Sequence, residues 1–401
     1  MRTKDKQRTL IKGAQVVFSH HVAPADVLVD NGSIALIGTD LLPERYDAAV
    51  HDAQGCYLTP GFIDMHVHGG GNCRFGDANK EAVYTVLQMH LQHGTTSIMP
   101  TISSYSKETI DASLDVLETV RTETPEQPLP EILGVHMEGP YFAAAQQGAQ
   151  NPAAIRMPDP KEYLSILEHP IPIKRWSAAC ELPGALQFAR DLTQRGVMVS
   201  IGHSNASFHE VQLALEYGYR SITHFYSGCS SLHRIGPWRH AGVVEAGLYF
   251  DELWVEVIAD GCHLPESLLR LIYKTKGPDQ ICLVTDAIRA AGVPDAENFY
   301  AGGSLDDASH FIVKDGVAML QDGTAFAGSI ATTDRLIRTM VNIAKVPLAH
   351  AVRMSTLTPA RILGIDRNKG SVTEGKDADL VVLDSSLHVR QVYRAGVPLL
   401  E

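Results

Sequence analysis

The chain has 401 residues, 45% hydrophobic and 20% charged, an ordinary globular balance with room for one large domain and one small one. A net charge of -12 argues against a nucleic-acid partner and against a basic membrane-surface role. No apolar stretch approaches the roughly 20 residues needed to cross a bilayer.

The amino terminus, MRTKDKQRTLIKGA, is basic with no apolar run behind it, so it is not read as a secretory signal. From Leu10 to Leu58 short β-branched runs follow one another, and Asn31-Gly32 between two of them is a strong hairpin signal. The last segment, GSVTEGKDADLVVLDSSLHVRQVYRAGVPL, has the same character. Neither segment carries enough apolar residues for a core alone. Residues 1–59 and 366–401 are therefore expected to pair as one small β domain.

Residues 60–365 alternate between strand and helix patterns. Eight candidate strands begin at Phe62, Ser97, Ile132, Lys174, Val197, Ser221, Trp254 and Ile281. Helical stretches such as EAVYTVLQMHLQHG, LPGALQFARDLTQRG and FHEVQLALEYGY lie between them, the last two stopped by Gly196 and Gly218. TTDRLIRTMVNIAK and LAHAVRMSTLTPARILG read as two closing helices. No Rossmann or Walker glycine fingerprint follows the first strand. The pattern predicts an α/β fold, a (β/α)8 TIM barrel.

Several of these apolar runs stop at a polar residue: His66 and His68, Glu138, His203, His224, His263 and Asp286. A closed parallel barrel gathers the carboxyl ends of its strands at one face, so residues remote in sequence can share one site. His66 and His68, two apart on a strand, point the same way. Imidazole and carboxylate are ligands for a divalent metal, and Asp286, after a near-continuous apolar run, would be costly to bury without a cation or donor. The set predicts a hydrolytic metal site. His136 is assigned a packing or supporting role. The remaining histidines, His90 and His310 among them, are read as surface or small-domain residues. Six dispersed cysteines without a C-x-x-C pair predict reduced thiols and a cytoplasmic protein.

The motifs PGFIDMHVHG, HMEGP, GAQNP, GHS, THFY, ADGCH, LVTDA, FAGS and GSVTEGKDADLVVLD, in that order, resemble the N-acetylglucosamine-6-phosphate deacetylase family of the amidohydrolase superfamily. The resemblance implies a barrel with a small β-sandwich built from both chain ends. It makes Glu138, His203 and His224 ligands of the principal divalent metal and His66 and His68 the place of a second ion, and it counts Asp286 among the metal ligands. One or two ions are implied, Zn2+ first, with Fe2+ or Mn2+ as alternatives. Asp286 matches the catalytic acid/base, and His263 a residue that contacts substrate and polarises the amide. Gly139, Gln150 and Gly328, within HMEGP, GAQNP and FAGS, fall among the substrate contacts.

One stretch departs from the family. An Asn-Ala-Met triplet is usual after the metal histidine, and here the chain reads Phe225-Tyr226-Ser227-Gly228-Cys229. Backbone N–H groups of Ser227 and Gly228, with His233, Arg234 or Arg239, are the open choices for a phosphate contact. The implied substrate is an amino sugar 6-phosphate, N-acetyl-D-glucosamine 6-phosphate first, and the implied assembly is a homodimer. Alternatives are N-acetylgalactosamine 6-phosphate, a non-phosphorylated acetamido sugar, or a cyclic amide. A cyclic amidase would need a bridging lysine at the end of the fourth strand, where this chain has Cys180 and Glu181. A metal-binding scaffold without chemistry would need a missing site residue, and none is missing.

Overall fold

In a computed structural model, which describes residues 8–123, 128–297, 300–301 and 311–399, Asn31 and Gly32 take φ of 52° and 80°. That pair of left-handed residues makes a two-residue hairpin turn, and it joins Val22–Asp30 to Ser33–Gly38 with Asp30 opposite Ser33. The hairpin belongs to an eight-stranded sheet drawn from both ends of the chain. Leu380–Leu383 lies antiparallel to Tyr57–Pro60, placing Val381 opposite Thr59. Ile11, Val27, Val29, Leu58, Leu380 and Val382 share one apolar core. The hairpin also folds back, with Ile34 N–H donating to Lys376 O at 2.8 Å and Ala378 N–H to Gly32 O at 2.8 Å. Each end of the chain thus supplies the apolar cover that the other lacks.

The barrel strands are β1 (Phe62–Val67), β2 (Thr95–Ile102), β3 (Val135–Glu138), β4 (Ile173–Ala178), β5 (Met198–Ile201), β6 (Tyr219–Ile222), β7 (Trp254–Val257) and β8 (Ile281–Leu283). They are parallel and hydrogen-bonded in chain order. The residues after β8 return to β1: Asp286 N–H donates to His66 O at 2.9 Å and His68 N–H to Ala287 O at 2.8 Å. These eight strands are the eight read from sequence, because strands covered on both faces are rich in apolar residues, even where Lys174 and Arg175 interrupt β4 and Arg220 interrupts β6.

Crossover helices cover the outside: α1 (Lys80–Gln92), α2 (Lys107–Thr122), α3 (Pro160–Leu167), α4 (Ala185–Gln194), α5 (Phe208–Glu216), α6 (Val243–Tyr249), α7 (Glu266–Lys276) and α8 (Thr333–Asn342). Asn79, Ser106 and Ser207 cap three of them, Ser207 in a reciprocal box with Glu210. The segment expected as a single last helix is two, α9 (Leu348–Met354) and α10 (Leu357–Ile362). Pro359 has no N–H to give the carbonyl four residues back, so the helix cannot run through.

Two features of the upper face have no counterpart in the sequence reading. His233–Ile235 and Trp238–His240 form a hairpin between β6 and α6 whose residues are all exposed. Tyr300–Ala301, Phe311–Lys314 and Val317–Leu320 form a small antiparallel sheet between β8 and α8. Strands this short leave no readable alternation. Among the described residues no helix is long and apolar enough to cross a membrane, and all six cysteines are free.

Candidate metal centre

β1, β3, β5, β6 and β8 deliver six side chains to one point above the barrel. His203 follows β5, His224 follows β6 and Asp286 follows β8, with φ of 47°, 29° and 47°. Left-handed backbone is strained for such residues, and here it occurs where the chain turns off a strand at the site. On β1, Asp64 lies one strand period below His66. Its carboxylate accepts from Thr285 Oγ1 at 2.5 Å and so ties β1 to β8. Burial pushes the Asp64 carboxyl up to about 6 against those hydrogen bonds.

The ligand atoms form two adjoining clusters, Glu138–His203–His224 and His66–His68–Asp286. Glu138 Oε1 lies 3.3 Å from His203 Nε2 and 3.0 Å from His224 Nε2, and the two imidazole nitrogens are 3.1 Å apart. His66 Nε2 and His68 Nε2 are 3.3 Å apart and lie 3.3 and 3.1 Å from Asp286 Oδ1. Glu138 reaches both clusters, with Oε1 3.5 Å from His66 Nε2 and Oε2 3.2 Å from His68 Nε2.

The outer ring nitrogens decide which way the inner ones face. His203 Nδ1 donates to Gln146 O at 2.8 Å and His224 Nδ1 to Ser227 O at 3.0 Å. A carbonyl only accepts, so in the neutral ring each Nε2 carries an inward lone pair. His66 Nδ1 meets Glu256 Oε2 at 3.1 Å, with the same consequence, and His68 Nδ1 meets Ser103 Oγ at 3.0 Å. Lone pairs converging with two carboxylates repel unless a cation lies among them, and this donor set suits a divalent metal.

Charge states agree. Burial disfavours an imidazolium at His66, but Asp286, Glu138 and Glu256 outweigh it and push the ring well up. His68, against the same burial, is raised to about 9 by Asp286 and Glu138, and His224 is raised chiefly by Glu138. Burial pushes the Glu138 and Asp286 carboxyls up, but the histidines, His66 foremost, bring both below the usual range. Without a cation, protons partly take its place.

A cavity of about 330 Å³ opens over this face, with His68, Glu138, His203, His224, His263 and Asp286 in its lining. His263 gives Nδ1 to Asp260 Oδ2 at 2.8 Å, and the same carboxylate takes the N–H groups of Cys262 and His263 at 2.8 Å each. Ser227, Gly228, Gln150 and Gly328 also line the cavity. Gln150 sits on the candidate bridge, donating to Glu138 Oε2 at 2.9 Å.

Four expected substrate contacts are placed elsewhere. Gly139 lies outside the cavity lining, its N–H bonded to Ser177 O at 3.1 Å and its carbonyl to Trp176 Nε1 at 2.8 Å. His233, Arg234 and Arg239 stand on the exposed hairpin and do not line the cavity of their own chain. The arginines on its wall are Arg74 and Arg289, which share Asp77 at 2.8 and 3.0 Å. Neither carries a sequence signal, because Arg74 ends the two-residue strand Cys73–Arg74 and Arg289 lies in the segment after β8, both too short for periodicity. Asp260 does carry one, an acid closing the short apolar run Val257-Ile258-Ala259.

Other histidines sort by burial. His136 is buried between Thr101 Oγ1 (3.1 Å) and Ser177 Oγ (2.7 Å), as a supporting residue should be. His90, expected at the surface, is buried with Nε2 3.0 Å from Gly69 O, and burial lowers it to about 4. Its helix turns that face onto the loop after β1. His310 lies outside the described residues.

The sequence profile of the amidohydrolase family matches residues 57–399. The chain is 34% identical over 374 residues to an N-acetylglucosamine-6-phosphate deacetylase of Lysinibacillus sphaericus, covering 92% of each. It is 33% identical over 357 residues to an N-acetylgalactosamine-6-phosphate deacetylase of Escherichia coli O157:H7, covering 88% of this chain and 90% of that one. The crystal structure of N-acetylglucosamine-6-phosphate deacetylase from Pasteurella multocida superposes with a TM-score of 0.89 at 29% identity, over 98% of this chain and 100% of that chain. With its closed barrel, two-ended sheet and divalent-metal donor set, the chain belongs to the amidohydrolase family and, within it, to the N-acetylglucosamine-6-phosphate deacetylases.

Proposed function

We propose that the protein hydrolyses the acetamido group of an amino sugar 6-phosphate, N-acetyl-D-glucosamine 6-phosphate first, giving D-glucosamine 6-phosphate and acetate. The observation that carries this reading is the convergence of two ligand clusters on Glu138 at the floor of a cavity that also holds Asp286 and His263. Glu138, His203 and His224 would hold one divalent ion, and His66, His68 and Asp286 a second, with Zn2+ the first choice and Fe2+ or Mn2+ compatible. A bound divalent cation acidifies water to a pKa near 7 and polarises a carbonyl, the two things an unreactive amide lacks in neutral solution.

The chain's own residues do the rest. Asp286, ionised at the cavity wall, accepts the proton of the attacking water and returns it to the leaving nitrogen. His263 donates toward the acetamido oxygen. Because its Nδ1 faces Asp260, that donation comes from Nε2. Asp260, brought below the usual carboxylate range by His263 and by backbone N–H groups in spite of burial, supplies the compensating charge. Gln150 fixes Glu138 between the clusters.

The phosphate contact is proposed in trans. Leu232, Ile235 and Trp238 on or beside the exposed hairpin are 59%, 60% and 72% exposed, a density of apolar side chains suited to an interface. In a homodimer this hairpin would carry His233 and Arg234 to the neighbouring cavity. Residues 60–365 form the catalytic domain in this reading, and 1–59 with 366–401 the small one, in a cytoplasmic enzyme. N-acetylgalactosamine 6-phosphate is the second substrate reading, favoured by the relative that bears that name.

The test is acetate release by metal-replete protein from acetamido sugars with and without the 6-phosphate. The expected kcat/KM falls about 100-fold or more without phosphate. No acetate from any sugar ends the deacetylase reading, whereas equal rates remove only the phosphate.

A further inference from the structure

Beneath the ligand atoms the barrel interior carries a charged pair. Arg175 on β4 and Glu256 on β7 have no solvent exposure, and neither lines the cavity. Arg175 Nη1 is hydrogen-bonded to Glu256 Oε1, and Nη2 donates to Ser200 Oγ at 3.0 Å and Thr223 Oγ1 at 2.9 Å. Glu256 Oε2 takes His66 Nδ1–H at 3.1 Å and the backbone N–H of His224 at 3.1 Å.

Such a pair is poor filling. A barrel interior is ordinarily packed with branched apolar side chains, and burying two charges carries a desolvation cost that their attraction must first offset. Its contacts point to what it does. His203 and His224 give their outer nitrogens to neutral carbonyls, whereas His66 gives its own to a carboxylate. A carboxylate acceptor fixes the tautomer more firmly and makes the inner nitrogen a better donor, and losing such a partner typically weakens metal binding 10–100-fold.

We propose that Glu256, held by Arg175, is the positioning residue that sets the cation affinity of the His66–His68–Asp286 cluster and thereby determines whether the protein retains one ion or two. This rests on the reading of the two clusters as cation sites.

The experiment is a Co2+ titration of stripped protein, read by the visible cobalt bands, with Zn2+ content after equilibrium dialysis as a second readout. Glu256→Gln alone sets an amide donor against the guanidinium, so Arg175→Met/Glu256→Gln, which removes both charges, is measured beside it. His68→Asn marks the spectral signature of a damaged first-strand cluster. The expected result is two equivalents in the unmodified protein. In both Glu256 variants one equivalent should weaken about 10–100-fold, with the His68→Asn signature, and the other should be unchanged. Two equivalents at undiminished affinity in either variant overturn the inference. So does joint loss of both, which marks a barrel that has lost its shape. Unmodified protein that takes one equivalent at every cobalt concentration also overturns it, while acetate release from the same sample leaves the deacetylase reading standing.

Discussion

His203 Nε2 and His224 Nε2 lie 3.1 Å apart with both outer nitrogens facing main-chain carbonyls, so both inner nitrogens point at one place beside Glu138. Removing either ring removes one converging donor. His203→Gln is expected to lower bound metal by about one equivalent per chain and to cut acetate release in parallel. Metal content by mass spectrometry, alongside circular dichroism, checks it. A folded variant with its full complement of metal would take His203 out of the ligand set.

Asp286→Asn keeps the shape of the side chain and removes the base. Turnover should fall about 10²–10⁴-fold, while metal at Glu138, His203 and His224 stays bound. Single-turnover acetate release measures the step directly, and near-parental rates would remove Asp286 from proton transfer.

Metal capture should depend on pH with a definite sign. His66 and His224 are pushed up and His68 to about 9, so near pH 7 the cation-free site holds protons that an incoming ion must displace. Affinity therefore falls as pH falls below about 9, by about tenfold per unit for each displaced proton. Titration calorimetry in buffers of different ionisation enthalpy at pH 7 should show net proton release. Binding without it contradicts the assignment.

Asp260 holds His263 at 2.8 Å and accepts from its backbone as well. Asp260→Asn keeps a hydrogen-bonding group but removes the negative charge that faces the ring and supports its donation to the oxyanion. The expected loss is about 10²–10³ in kcat, with KM and metal content near those of the parent. An effect confined to KM would make Asp260 a binding residue instead.

Trp238, 72% exposed on the hairpin after β6, tests the assembly. Trp238→Glu should shift sedimentation from dimer to monomer and raise KM about tenfold or more for the phosphorylated sugar, leaving the non-phosphorylated sugar unaffected. A parent chain that sediments as a monomer ends the trans arrangement.

Much of the site could be read in the chain because of how a barrel writes itself. A strand buried on both faces is a largely apolar run, and a histidine or carboxylate just at or past its end is conspicuous, so Glu138, His203, His224 and Asp286 are legible one strand at a time. Asn31-Gly32 was equally explicit, since few residues accept two successive positive φ values. Arg74 and Arg289 come from the short segments after β1 and β8, where position follows from what the segment packs against. His90 shows the same limit on a helix, flanked by the apolar Met89 and Leu91 and buried where α1 meets the loop after β1.

Residue type and strand order were thus settled along the chain, because hydrophobic burial and ligand chemistry are properties of single positions. Distance was settled only when the barrel closed. His66 and Glu256 are 190 positions apart and meet at 3.1 Å, and the hairpin bearing Arg234 and Arg239 is exposed and outside the lining of its own cavity. Contacts of this kind depend on the register and curvature of eight strands at once, which no local run of residues encodes.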